Sequence, residues 1–225
     1  MRLLAKWHIW LAWAFGIPVL MWTVTGLIMV SRPIEEVRGN HLRIEQAEHA
    51  LVLPESEIAS AETNLKEMRV VMQNGRAVAL LTGLDGAASR VDMTTGEAIP
   101  AITAADASQI VSERIKGGDK VRSVTLFEAN EVPIDFRRPK PVWQVALEDG
   151  AHIYVGRDTG EIEAVRTRWW RIFDFAWGLH IMDLETREDT SHPILIIFTA
   201  LGVIGSLAGV ILMFLKRKKR RSNPA

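Results

Sequence analysis

Two stretches of this chain contain no Lys, Arg, Asp or Glu. They are residues 7–30 (WHIWLAWAFGIPVLMWTVTGLIMV) and residues 193–215 (PILIIFTALGVIGSLAGVILMFL). Roughly 20 apolar residues in a helix cross a hydrocarbon core of about 30 Å, so each stretch is long enough for one passage. A cleaved signal peptide is the alternative for the first, because Arg2 and Lys6 give it a basic start. Its apolar run, however, exceeds the ~7–15 residues of a signal core, and no A-x-A site follows. We read it as an uncleaved anchor.

Flanking charge sets the expected orientation. Arg2 and Lys6 precede the first stretch, and the run Lys216-Arg217-Lys218-Lys219-Arg220-Arg221 follows the second. Arg32 and Arg38 oppose this weakly among Glu35 and Glu36, and the second stretch is entered through Glu185, Glu188 and Asp189. Excess Lys and Arg remain on the cytoplasmic side, which places both termini there and residues 31–192 outside. In a bacterium the chain would be a multi-pass inner-membrane protein with a periplasmic domain. Trp7, Trp10 and Trp13, and later Trp169, Trp170 and Trp177, fit interfacial aromatic belts.

Composition removes several classes. The chain has no cysteine, which excludes disulfides, thiolate metal sites and cysteine nucleophiles. Lys+Arg and Asp+Glu both number 27, so nothing in the overall charge calls for nucleic acid. Phosphate loops, nucleotide fingerprints and a Ser-His-Asp arrangement are absent from the sequence, and no catalytic residue is assigned.

Between the apolar stretches lies a repeat. Residues 85–97 read DGAASRVDMTTGE and residues 149–161 read DGAHIYVGRDTGE, with seven identities in thirteen positions, 64 residues apart. Asp-Gly and Thr-Gly at fixed separation describe a strand, a tight turn, a second strand and another turn. Strands are expected at Met68–Met72, Ala77–Leu81, Ser123–Phe127, Val142–Leu147 and His152–Val155. Helices are expected to start at Leu53–Ala59 and at Thr103–Ala107, the latter with Asp106 at the third position of an approximate capping box. The fold class is therefore membrane α+β: two spanning helices flank a duplicated helix-on-antiparallel-sheet domain, with units at about 54–100 and 103–165. An amphipathic interfacial helix is expected over about 168–183, its stripe formed by Trp169, Ile172, Phe173, Ala176 and His180. Residues 216–225 form a basic tail.

The segment PVWQVALEDGAHIYVGRDTGEIEAV resembles the PepSY domain. KWHIWLAWAFGIPVLMWTVTGLIM and FAWGLHIMDLETREDTSHPILII resemble the first helix, and the approach to the last helix, of PepSY-associated transmembrane proteins. The resemblance covers nearly the whole chain. It implies a membrane-anchored module that binds or regulates a periplasmic peptide, protein or siderophore, with a link to iron uptake. The alternative it implies is a haem b electron-transfer subunit, since larger four-span relatives resemble haem-bearing ferric-siderophore reductases. In that reading His8, His180 and His192 are the candidate axial ligands.

Each histidine also has a plainer role. His8 suits an interfacial polar position beside the Trp belt. His180 lies on the stripe of the interfacial helix. His192-Pro193 suits the first turn of the second span. Some 22 residues, or roughly 33 Å of helix, separate His8 from the far end of its span, so His8 cannot share an iron with His180 or His192 of the same chain. A haem would need a homodimer or a redox partner. His41 is a further candidate beside the latter two, whereas His152 alternates on a strand and is read as exposed. Finally, Gly205 and Gly209 make a small-residue face for close helix contact, either within the chain or between copies.

Overall fold

In the computed structural model, which describes residues 2–45 and 64–222, the chain forms two compact units. One comprises Met1–Ile34 with Arg171–Ala225, and the other Glu35–Trp170.

The first unit is built on two long helices, α1 (Arg2–Val30) and α5 (Pro193–Ser222, the last element of the chain). Within them, Ala5–Val30 and Pro193–Leu215 are long and apolar enough to cross a membrane. Helix α1 runs unbroken past Pro18, although proline removes one backbone donor there. The pairing of the two helices depends on the small face of α5. A Cβ at Gly205 would stand 2.1 Å from Phe15 Cζ, and one at Gly209 would stand 3.0 Å from His8 Cε1. Glycine thus makes room for two rings of α1, and the Gly-x-x-x-Gly face serves contact within the chain. The opposite surfaces, including Trp10, Trp13, Ile17, Leu20, Val203, Ile204, Leu207 and Ile211, are exposed, as suits side chains solvated by lipid.

The second unit opens with a short turn of helix, α2 (Ile34–Val37), and a 3-10 turn at Asn40–Leu42. Two four-stranded antiparallel sheets follow. The first contains β1 (Leu65–Gln73), β2 (Arg76–Gly83), β3 (Ala88–Asp92) and β4 (Ala98–Ile99) in that order. After α3 (Ala104–Arg114), the second contains β5 (Val121–Phe127), β6 (Val142–Leu147), β7 (His152–Gly156) and β8 (Ile162–Arg166). Helix α4 (Arg168–His180) then leads from this unit into the first.

The repeat holds down to individual hydrogen bonds. In the first copy, Ala87 N donates to Asp85 Oδ1 (2.9 Å) and Gly83 N to Ala87 O (2.9 Å); in the second, Ala151 N donates to Asp149 Oδ1 (2.8 Å) and Leu147 N to Ala151 O (2.8 Å). Likewise Glu97 N meets Thr95 Oγ1, Glu161 N meets Thr159 Oγ1, and the turns close through Gly96 and Gly160. Gly86 and Gly150 lie at φ 82° and 83°, a backbone conformation in which a Cβ is strained.

Helix α3 begins at the expected capping box. Thr103 accepts from Asp106 N, and the Asp106 carboxylate accepts from Thr103 N and Oγ1. Ala107 and Val111 of its apolar face, with Ile115 just beyond its end, pack onto Val145, Leu147, Ile153, Val155 and Val165 of the second sheet. Each fully buried Val or Ile contributes about 1.5–3 kcal/mol, so this cluster is the main store of stability in the unit. The helix expected at Leu53–Ala59 lies outside the described residues.

The copies differ between their first two strands. β1 turns into β2 through Asn74-Gly75, both at positive φ (50° and 74°), as in a two-residue type I′ hairpin. The second copy inserts residues 128–141, which fold over the sheet face opposite α3. There Phe136 stacks on Tyr154 with ring centroids 4.9 Å apart, and both are fully buried. Tyr154 Oη donates to Asp135 Oδ1 (2.5 Å), and burial pushes the pKa of the phenol far above its ordinary value. His152 Nδ1 stands 3.2 Å from Asp135 Oδ2. His152 is therefore half-buried against this loop, where its strand position alone suggested exposure.

Candidate functional site

The structure distributes the three candidate haem ligands among three local environments. His8 lies between α1 and α5 against Gly209, and its buried Nδ1 has no hydrogen-bond partner among the described residues. His180 ends α4 beside Trp22 and Thr25 of α1. Trp22 Nε1 donates to His180 O (2.8 Å), and Thr25 Oγ1 lies 2.9 Å from His180 Nδ1. Thr25 Oγ1 also lies 2.8 Å from Met21 O and 3.2 Å from Trp22 O, which ties the hydroxyl to its own helix. His192 immediately precedes α5, and its Nδ1 accepts from Ile194 N (3.3 Å). His41 belongs to the other unit, where its carbonyl accepts from Lys116 Nζ (3.0 Å).

Thr25 lies seventeen residues from His8, or about 25 Å along α1. His8 and His180 therefore cannot ligate one iron within one chain. Among the described residues, no group of three or more His, Cys, Asp or Glu side chains is placed to hold a metal ion.

A tight collar follows His180. The helix ends there rather than continuing to Asp183, because Met182 turns to positive φ (57°) and the Asp183 carboxylate gathers the next loop. Asp183 accepts the backbone N–H groups of Glu185, Thr186, Glu188 and Asp189, together with the Thr186 hydroxyl. The Thr186 hydroxyl and these amides hold it well below the usual carboxylate range. Arg187 closes the loop by donating to the buried Asp174 of α4, and Trp177 Nε1 donates to Arg187 O (3.1 Å). Of the expected apolar stripe of α4, Ala176 is buried whereas Ile172 is about half exposed. The polar residues Asp174, Asp183 and Arg187, which no hydrophobic period picks out, organise this region.

The second unit holds an open cleft of ≈ 340 Å³ between β1 and β8. Arg43, Arg69, Arg114, Glu161 and Glu163 line it together with Ile44 and Ile162. The backbone places two of these arginines on adjacent, hydrogen-bonded segments. Ile44 N donates to Arg114 O (2.8 Å), Lys116 N donates to Leu42 O (2.8 Å), and Arg43 bridges Ile115. Glu161 pairs with Arg69, while Glu163 meets Arg138 (3.0 Å) and Lys140 (2.6 Å). Arg43 spends one N–H on Ile162 O at 3.4 Å, and Arg114 has no ion-pair partner among the described residues.

The two strands bordering this cleft offer different edges. On β8, Arg43 covers the Ile162 carbonyl and Arg138 the Glu163 carbonyl (2.8 Å), and a bulge interrupts the strand at Glu163. Pairing there is obstructed. On β1 the register with β2 is regular from Glu67 to Gln73. The two-residue hairpin makes Gln73 and Arg76 a hydrogen-bonded pair, so Val71 and Arg69 also face β2. Met68, Val70 and Met72 direct their backbone groups away from the sheet. Sequence periodicity located β1, but only the strand order showed that it is an edge. No known protein family, curated protein or solved structure matches this chain.

Proposed function

We propose that this chain is a membrane-anchored binding module whose tandem sheet domain takes up an extended polypeptide partner outside the cytoplasm, with both termini inside. The observation that carries the reading is the edge of β1, whose outward backbone groups at Met68, Val70 and Met72 have no strand partner among the described residues. An extended chain that adds to such an edge gains main-chain hydrogen bonds, and alternate side chains supply selectivity. Among a peptide, a protein and a siderophore as ligands, the edge favours the polypeptides. The two apolar helices support attachment to a bilayer, and the flanking basic residues support the orientation.

Peptides selected from a random linear library on the purified full-length protein should bind at β1. The Val70→Pro protein should lose them by about tenfold or more, because proline removes an outward N–H while leaving the pairs with β2 intact. Circular dichroism and a thermal melt establish that the variant is folded; Met72→Pro serves as the second probe of the same edge. Binders indifferent to both substitutions overturn the reading.

The buried Nδ1 of His8, which has no hydrogen-bond partner among the described residues, favours a second reading, a haem b subunit of a ferric-siderophore reductase-like system. A bound haem would supply one-electron transfer. One chain provides one ligand at this depth, so the group fits only between two copies or against another protein. Protein from haem-replete cells should then show a reduced-minus-oxidised Soret and α band that His8→Ala abolishes. A flat spectrum removes this reading and leaves the first untouched.

A further inference from the structure

Resting on the polypeptide-binding reading, we infer that the cleft between β1 and β8 selects an acidic extended segment, whose carboxylates are received by Arg43 and Arg114. The charge around the cleft does not balance. Glu163 is answered twice, by Arg138 and Lys140, and Glu161 is answered by Arg69. Two guanidinium groups remain without a carboxylate among the described residues, since Arg43 makes only a long bond to a carbonyl and Arg114 makes no ion pair.

Their presentation is rigid where it matters. Arg43 and Arg114 stand on adjacent backbone segments tied by two hydrogen bonds of 2.8 Å, and Arg114 closes α3, whose first turn is capped and whose apolar face is buried. Little backbone ordering remains to oppose binding. The planar fork of arginine matches a carboxylate with two parallel N–H···O bonds, whereas an amide or a cation cannot be received in that way. The cleft also borders the open strand, as Arg69 of β1 lines it. A peptide added to β1 lies beside this cleft, and one alternating Val with Glu turns all its carboxylates to one face of the added strand.

The test uses the full-length protein in nanodiscs and three probes read by fluorescence anisotropy: a linear peptide alternating Val and Glu, the same peptide with Gln for Glu, and citrate as a free carboxylate competitor. The acidic peptide should bind about tenfold or more tightly than its Gln counterpart, with affinity falling as salt rises. The doubly substituted Arg43→Gln, Arg114→Gln protein should bind both peptides alike, at the level of the Gln peptide on the unaltered protein. Val70→Pro should weaken both peptides on either protein. Equal binding of the two peptides, with sensitivity to Val70→Pro retained, overturns the acidic preference and leaves the polypeptide reading standing. Binding insensitive to Val70→Pro overturns the polypeptide reading itself. Citrate binding as tightly as the acidic peptide would show a site for free carboxylates and overturn the inference. Each glutamine variant is exposed or half-buried at the changed position, and an unchanged thermal melt separates lost recognition from lost fold.

Discussion

Gly205→Leu should push the two apolar helices apart and lower the stability of the membrane unit by about 1–3 kcal/mol, the usual cost of overpacking a filled contact. Even the first carbon of a side chain at this position would meet Phe15 Cζ at 2.1 Å and Cε1 at 2.7 Å, and Phe15 is itself buried. The ring cannot swing clear without losing its packing. Gly202 provides the control three residues away, because a Cβ there meets nothing within 4 Å. Thermal melts in nanodiscs should show Gly202→Leu close to the unaltered protein and Gly205→Leu well below it. Combining Gly205→Leu with Phe15→Ala should recover a large part of the loss, since the two residues share one space and their effects cannot add. Equal melting of the Gly202 and Gly205 variants would mean that the helices do not pair through this face.

The second large effect is expected at Asp183, where one carboxylate holds four backbone amides and a hydroxyl. Asp183→Asn replaces one accepting oxygen with a donor, so the loop from Asp183 to Asp189 should open. Amide exchange at Thr186, Glu188 and Asp189 should accelerate by about tenfold or more, while the α3 core is unaffected. The pH dependence has a definite sign. The folded carboxyl is held below its unfolded value near 3.9, so its contribution is complete above about pH 5 and is lost as pH falls through the depressed folded value. Loop protection should accordingly be flat from neutral pH down to about 5 and decline below about 4. Asp189, also lowered by the hydroxyl and amide of Ser191, contributes in the same direction and should account for the pH dependence left in the variant. Protection in Asp183→Asn equal to that of the unaltered protein would sink this account of the loop.

Much of the architecture is legible from composition and period. A run without charges and long enough to cross a membrane has few alternatives to a helix, and residues 7–30 and 193–215 are the cores of α1 and α5. The Asp-Gly-Ala and Thr-Gly-Glu repeats announce paired hairpins because their turn geometry is local: each amide bonds within a few residues of the side chain that receives it. The capping box of α3 is local for the same reason. His152 shows where that legibility stops. Strand alternation gives its face, but its burial depends on the inserted loop that brings Asp135 across the sheet.

The sequence by itself therefore determined the two apolar helices, the duplicated sheet unit and the start of α3, since each is fixed by interactions within a few residues or by the solvent a segment can tolerate. Tertiary structure alone decided that Gly205 and Gly209 receive Phe15 and His8 of the same chain, and that His180 joins Thr25 and Trp22 far from His8. It also decided that Arg43 and Arg114 stand together beside an open strand edge. Those arrangements join residues tens of positions or more apart, and their energies depend on contacts that no local pattern records.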